Sequence, residues 1–80
     1  SEIERLRNTV VKPSDSLNQL LVKRETTPIE TGVKISELLK RTEITYKDLE
    51  KFDENRPILS KDVIKEVEIE LKYEGYEVLY

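Results

Sequence analysis

The stretch that closes the chain, Ser60 to Tyr80 (SKDVIKEVEIELKYEGYEVLY), limits the available folds more than any other. It holds three of the four tyrosines and admits two periodicities. As a strand, Val67, Ile69, Leu71 and Tyr73 alternate with polar residues, and Glu74-Gly75 turns a hairpin toward Tyr80. As a helix advancing about 100° per residue, the stretch carries two apolar stripes. Ile64, Val67, Leu71, Gly75 and Val78 form one; Ile69, Tyr73, Tyr76 and Tyr80 form the other, on the nearly opposite side. Alternation alone favours the strand, yet two observations favour the helix. Ser60 is a good N-cap before Lys61-Asp62, and Asp62 in the first turn complements the helix dipole. The rest of the chain offers no convincing second strand, and an isolated hairpin is marginal in water.

Upstream, caps and prolines divide the chain into short helices. Ser1-x-x-Glu4 has the capping-box form, with Ile3, Leu6 and Val10 on one face behind it. Pro13 ends that helix by disfavouring a helical Lys12. Ser14 or Ser16 caps a second helix bearing Leu17, Leu20 and Leu21. Pro28 and Gly32 break the stretch from Glu25 to Val33, which reads as a loop with little structure. A third helix carries Ile35, Leu38 and Leu39, and Thr45-x-x-Asp48 caps a fourth bearing Tyr46, Leu49 and Phe52. Asp53 to Pro57 is a further loop, after which Ile58 and Leu59 are placed to staple against Ile64. The expected architecture is therefore all-α, a single segment over 1–80. It has about five short helices, at 2–11, 15–23, 34–41, 46–52 and 61–79, the last being the longest. A tight turn around Thr42 to Ile44 joins the third to the fourth. In the last helix the aliphatic stripe belongs to the core and the tyrosine stripe, whose hydroxyls reach water or a polar partner, faces outward. Gly75 inside a helix costs about 1 kcal/mol relative to Ala, so a closely packed backbone is expected against it.

Composition narrows the chemistry. With 36% apolar residues, one Phe and no Trp, the core supplies only roughly 3–5 kcal/mol. There is no Cys to staple it, which fits a reducing, cytoplasmic setting. No apolar run is long enough for a membrane span, and nothing at the N-terminus reads as a signal peptide. The absence of His and Cys excludes imidazole acid–base chemistry, thiol nucleophiles and the usual zinc sites. Neither Gly32 nor Gly75 belongs to a phosphate-cradling loop. Glu66, Glu68 and Glu70 alternate around the last helix instead of converging as an acid–base pair. The residues thus point to no catalytic, cofactor-binding or metal site. A net charge of −3 weighs against a domain whose main task is gripping phosphates. Lys and Arg still cluster at Arg5/Arg7, Lys23/Arg24 and Lys40/Arg41, most simply as paired charges on solvated helix faces.

A family resemblance carries the reading further. The runs E-R-L-R at Glu4 to Arg7 and T-V-V-K-P-S at Thr9 to Ser14 are followed by L-L-K-R-T-E-I-T-Y-K-D-L at Leu38 to Leu49. V-E-I-E-L-K-Y-E-G-Y at Val67 to Tyr76 completes the series. In that order and spacing they resemble the helical C-terminal region of the large, flavin-containing subunit of the bacterial tRNA uridine-5-carboxymethylaminomethyl-modifying enzyme, the glucose-inhibited division protein A family. Thr42 stands where that family usually has proline, and Glu77 where it usually has an apolar residue.

The resemblance implies a fragment of a larger helical C-terminal domain whose parent uses FAD and NADH, held by a domain missing here. It also implies tRNA and a partner GTPase as partners, and a homodimeric parent. On that footing Lys40, Arg41, Lys72, Tyr73, Gly75 and Tyr76 are candidate tRNA or partner contacts, and the segment performs no catalysis itself. Lys40 and Arg41 also suit the C-terminal end of the third helix on dipole grounds. The alternative is a purely structural helical interaction module without RNA contact, and a free-standing regulator requires Ser1 and Tyr80 to be natural ends.

Overall fold

The computed structural model describes residues 1–78, with side chains through residue 75. Tyr80 and the side chains of Tyr76 and Val78, all members of the two expected stripes, lie outside the described residues. The elements run α1 (Glu2–Arg7), β1 (Val10–Val11), α2 (Asp15–Lys23), β2 (Val33–Lys34), α3 (Ile35–Leu39), a 3-10 helix (Lys47–Phe52) and α4 (Lys61–Val78). The fold is mostly helical, with α4 the longest element, and the hairpin reading of its sequence is excluded by an unbroken helix.

The expected caps are in place. Ser1, Ser14 and Ser60 each accept a hydrogen bond through Oγ, from the N–H of Glu4, Leu17 and Val63 respectively. Thr45 and Asp48 exchange reciprocal bonds, Thr45 N–H to Asp48 Oδ2 at 3.0 Å and Asp48 N–H to Thr45 Oγ1 at 3.2 Å. The helix that follows is a 3-10 helix, not an α-helix. The turn before it closes with Ile44 N–H on Arg41 O at 3.3 Å.

Two expectations fail in the first half of the chain. The first helix was expected over 2–11 but ends at Arg7. Asn8 Nδ2 and Thr9 Oγ1 donate to carbonyls of the last turn, Glu4 O and Arg5 O, which the Asn8 N–H also meets, and close the helix. The β-branched run Thr9-Val10-Val11 before Pro13 then prefers extended backbone. A second strand does exist: β1 pairs antiparallel with β2, Val10 opposite Lys34 and Val11 opposite Val33, and Ile35 N–H on Thr9 O extends the ladder. Val10, expected on a helical core face, is exposed, and Val11 is buried instead.

The stretch from Glu25 to Val33 is more ordered than expected. Glu25 takes φ 61° just past α2. There Glu25 N–H bonds Val22 O and Thr26 N–H bonds Leu21 O, the Schellman pattern, here without its usual glycine. Asn18 then grips Ile29 from both sides, Nδ2 donating to Ile29 O at 3.0 Å and Oδ1 accepting from Ile29 N–H at 2.9 Å. That clamp holds the Ile29 side chain in the core. The proposed staple fails at Ile58, which is 99% exposed, while Leu59 is half-buried.

The core gathers Leu6 of α1, Leu17 and Leu21 of α2, Ile35, Leu38 and Leu39 of α3, Ile44, Leu49, and Val67 and Leu71 of α4. α4 lies against α1 and α3.

Candidate docking surface

The 100° advance of α4 divides its side chains among four directions. Val67 (6% exposed) and Leu71 (0%) face the core, with Ile64 packed against it. Gly75 continues this line and meets α3. A Cβ there would stand 2.9 Å from Lys40 O and 3.0 Å from Lys40 Cβ, so the helices meet backbone to backbone. The close neighbour expected at Gly75 is Lys40 itself.

A second side of α4 holds the connection between α3 and the 3-10 helix. Lys72 Nζ donates to three main-chain carbonyls, Leu39 at 2.6 Å, Arg41 at 2.7 Å and Ile44 at 2.5 Å. One turn earlier, Glu68 Oε1 accepts from Tyr46 N–H at 3.0 Å. The cation therefore sits on carbonyls from the last residue of α3 through the connection that follows it, and the anion on an N–H at the start of the 3-10 helix. Each charge matches the dipole end it meets. Burial holds the Lys72 ammonium below the ordinary lysine range, against the upward pull of Glu68, Glu43 and Asp48. Glu68 and Lys72 stand four apart, the spacing of a surface ion pair, so nothing in the sequence shows that both reach across to backbone.

On the third side Glu74 joins elements, pairing with Arg7 of α1 and lying 3.9 Å from Lys40, which also pairs with Glu37 at 3.1 Å. Arg41 turns the other way, Nη1 donating to Thr26 Oγ1 at 3.2 Å and to Thr27 O, and so ties α3 to the loop after α2. Of the basic clusters, Arg5, Arg7, Arg24 and Lys40 are paired, not all on solvated faces, whereas Arg41 bonds only neutral oxygens and Lys23 takes part in no ion pair among the described residues. Arg24 pairs with Asp48 at 2.9 Å. Arg5 is gripped by two nearly buried carboxylates, Glu2 at 2.6 Å and Asp53 at 2.7 Å. Tyr46 Oη donates to the same Glu2 carboxylate at 2.8 Å.

This network was not foreseen. An acid three residues before an Arg on a helix is common, and only the tertiary fold brings Asp53 and Tyr46 to the Glu2–Arg5 pair. Hydrogen bonds that Arg5 donates to Glu2 and Asp53 raise its pKa further. Burial pushes the Glu2 carboxyl up, but the bonds from Arg5 and Tyr46 outweigh it and leave it lowered. Burial, then the bond to Glu2, pushes the Tyr46 phenol up to about 12.

The fourth side is open. Ile69 is 60% and Tyr73 64% exposed, adjacent on the outward stripe and flanked by Glu68 and Lys72. Of the five candidate contacts whose side chains are described, Tyr73 is the one that stands out into solvent. Lys40, Arg41, Lys72 and Gly75 are half-buried in contacts of the fold, and the Tyr76 side chain lies outside the described residues. Among the described residues, no group of three acidic, His or Cys side chains could hold a metal ion. No described helix is long and apolar enough to cross a membrane.

Comparison with known proteins supplies the context for this surface. The model of the family described as the tRNA modifying enzyme MnmG/GidA C-terminal helical domain matches residues 1–77. The tRNA uridine 5-carboxymethylaminomethyl modification enzyme MnmG of Caldicellulosiruptor saccharolyticus is 56% identical over 75 residues, 94% of this chain. Enzymes of the same name from Thermodesulfovibrio yellowstonii and Alkaliphilus oremlandii are 44% identical over 75 residues and 43% over 77, covering 94% and 95% of this chain. In all three the chain spans 12% of the relative's length.

Proposed function

This chain belongs to the family of the MnmG/GidA C-terminal helical domain, and from that premise we propose that it is a docking segment of a tRNA-modifying enzyme, without chemistry of its own. The observation that carries this reading is the exposed pair Ile69 and Tyr73, on a helix whose opposite face is sealed by Val67 and Leu71. Large apolar side chains adjacent on one outward helix face suit a protein partner better than solvent. Tyr73, with Tyr76 following it in the sequence, is the protein-facing part, and the partner is the GTPase that the family resemblance implies. Lys40 and Arg41 are the RNA-facing part. Lys72 and Gly75 fix α4 against α3 and so set where Tyr73 stands. The parent is expected to be a cytoplasmic homodimer.

FAD and NADH, which the resemblance assigns to the parent, do not fit this chain. A Cβ at Gly32 would meet Val10 Cγ1 at 3.0 Å, and one at Gly75 would meet the Lys40 backbone. Gly75 is closed to a pyrophosphate by that backbone, and exposed Gly32 stands alone, outside any glycine-rich loop.

A purely structural module is the second reading. It is favoured by the internal contacts of Lys40, Arg41 and Lys72. The two separate in the full-length enzyme. Ile69→Ser with Tyr73→Ser should weaken GTPase binding about tenfold or more, as loss of a contact centre does. Lys40→Ala with Arg41→Ala should flatten the dependence of log K for tRNA on log salt, by up to about 0.9 per lost phosphate contact. Wild-type binding of both partners by both variants would leave the structural module and defeat the docking role.

A further inference from the structure

The net charge of −3 is a sum over two unlike faces. The groove between α1 and the near side of α4 is lined by Glu2, Glu4, Glu66 and Glu70, with Arg7 the one cationic side chain among its lining residues. The opposite side is basic. Two grooves there share Lys47 and Glu50. One, about 780 Å³, runs between α2 and the 3-10 helix past Arg24, Asp48 and Lys51; the other, about 400 Å³, runs between the 3-10 helix and the start of α4 past Lys61, Lys65 and Glu68. Together they present five cationic side chains and three acidic ones.

The acids are already engaged. Asp48 holds Arg24 and the Thr45 N–H, Glu50 lies 3.5 Å from Arg56, and Glu68 takes the Tyr46 N–H. Lys47, Lys51, Lys61 and Lys65 are exposed, and none takes part in an ion pair among the described residues. Hence the band keeps a formal excess of positive charge, and its four lysine ammonium groups, unlike Arg24, are not held by acids among the described residues. Half-buried Phe52 and Leu20 in the floor of the larger groove give it an apolar base between the charges.

We propose that this band, Lys47 and Lys51 on the 3-10 helix with Lys61 and Lys65 on the first turns of α4, is a binding surface for the phosphate backbone of RNA. The assignment rests on the docking role proposed above and locates a tRNA contact on the side of the molecule away from the acidic groove. Four flexible ammonium groups along adjoining grooves suit a chain of phosphates, which demands charge and spacing but no fixed fork geometry. The four side chains make no ion pair among the described residues, so their replacement should leave the structure intact.

The test uses the full-length enzyme and unmodified tRNA. Lys47→Gln, Lys51→Gln, Lys61→Gln and Lys65→Gln combined should lower affinity at least tenfold at low salt. It should also flatten the slope of log K on log salt by up to about 0.7–0.9 per lysine. Glu66→Gln with Glu70→Gln, on the acidic groove, should leave both nearly unchanged. An unaltered slope in the lysine variant overturns the band, whereas the docking role is judged separately by the Tyr73 and Lys40/Arg41 variants. An affinity gain in the Glu variant as large as the loss in the lysine variant would mean that net charge alone is read, and would overturn it equally.

Discussion

Asn18 shows how one amide can order a loop. Its Oδ1 and Nδ2 meet the N–H and C=O of Ile29 as a neighbouring strand would, so both backbone groups are satisfied while the Ile29 side chain enters the core. Asn18→Asp keeps the shape and the acceptor but faces a carboxylate to the Ile29 carbonyl. A hydrogen bond is lost and an acceptor is left opposite an acceptor, at a cost of about 1–3 kcal/mol. Urea unfolding should show that loss at neutral pH, with part of it recovered in acid as the new carboxyl protonates and regains a donor. Asn18→Ala would be less informative, since it also removes packing. Glu25, at φ 61° where helix ends favour glycine, is the other residue whose part is invisible in composition.

At the scale of elements, α4 is placed by backbone contacts as much as by side chains. Lys72 and Glu68 bind main-chain groups of the α3 to 3-10 connection, and Gly75 lets the two helices touch. Gly75→Ala therefore sets two effects against each other. Helix propensity favours Ala by about 1 kcal/mol. A Cβ only 2.9 Å from Lys40 O must displace α3 or α4, and such overpacking costs about 1–3 kcal/mol. The clash is with backbone, which cannot swing aside as a side-chain tip can. We expect net destabilisation, read as a lower thermal midpoint, together with weaker binding of whatever Tyr73 contacts. A thermal midpoint raised by the alanine would show that α4 stands further from α3 than this.

At the scale of the whole molecule, the Glu2–Arg5–Asp53–Tyr46 network ties the first helix to the residues that flank the 3-10 helix, Tyr46 before it and Asp53 after it. Its titrations, together with that of Asp48 on Arg24, bound the pH range of stability. The Glu2 and Asp48 carboxyls lie below their ordinary values in the fold, so their contribution is complete above the ordinary carboxylate range and disappears as pH falls through the lowered values. Tyr46 is raised to about 12, so its contribution is complete below about 10 and disappears as pH rises through about 12. Thermal midpoints should therefore form a plateau between these limits. Tyr46→Phe should flatten the alkaline limb and remove the tyrosinate absorbance that rises near pH 12; an unchanged alkaline limb would refute the coupling. The sequence by itself determined the helices that carry their own signals. Serine caps, the Thr45–Asp48 box and the 3.6-residue spacing of Ile64, Val67 and Leu71 are local, and they placed α2, α4 and the buried and open faces of α4. It also determined the family, through motif order. Only the tertiary structure decided the β1–β2 pair, the clamp on Ile29, the Arg5 network and the separation of acidic from basic faces. Each joins residues far apart in the chain, where no period or cap links one partner to the other.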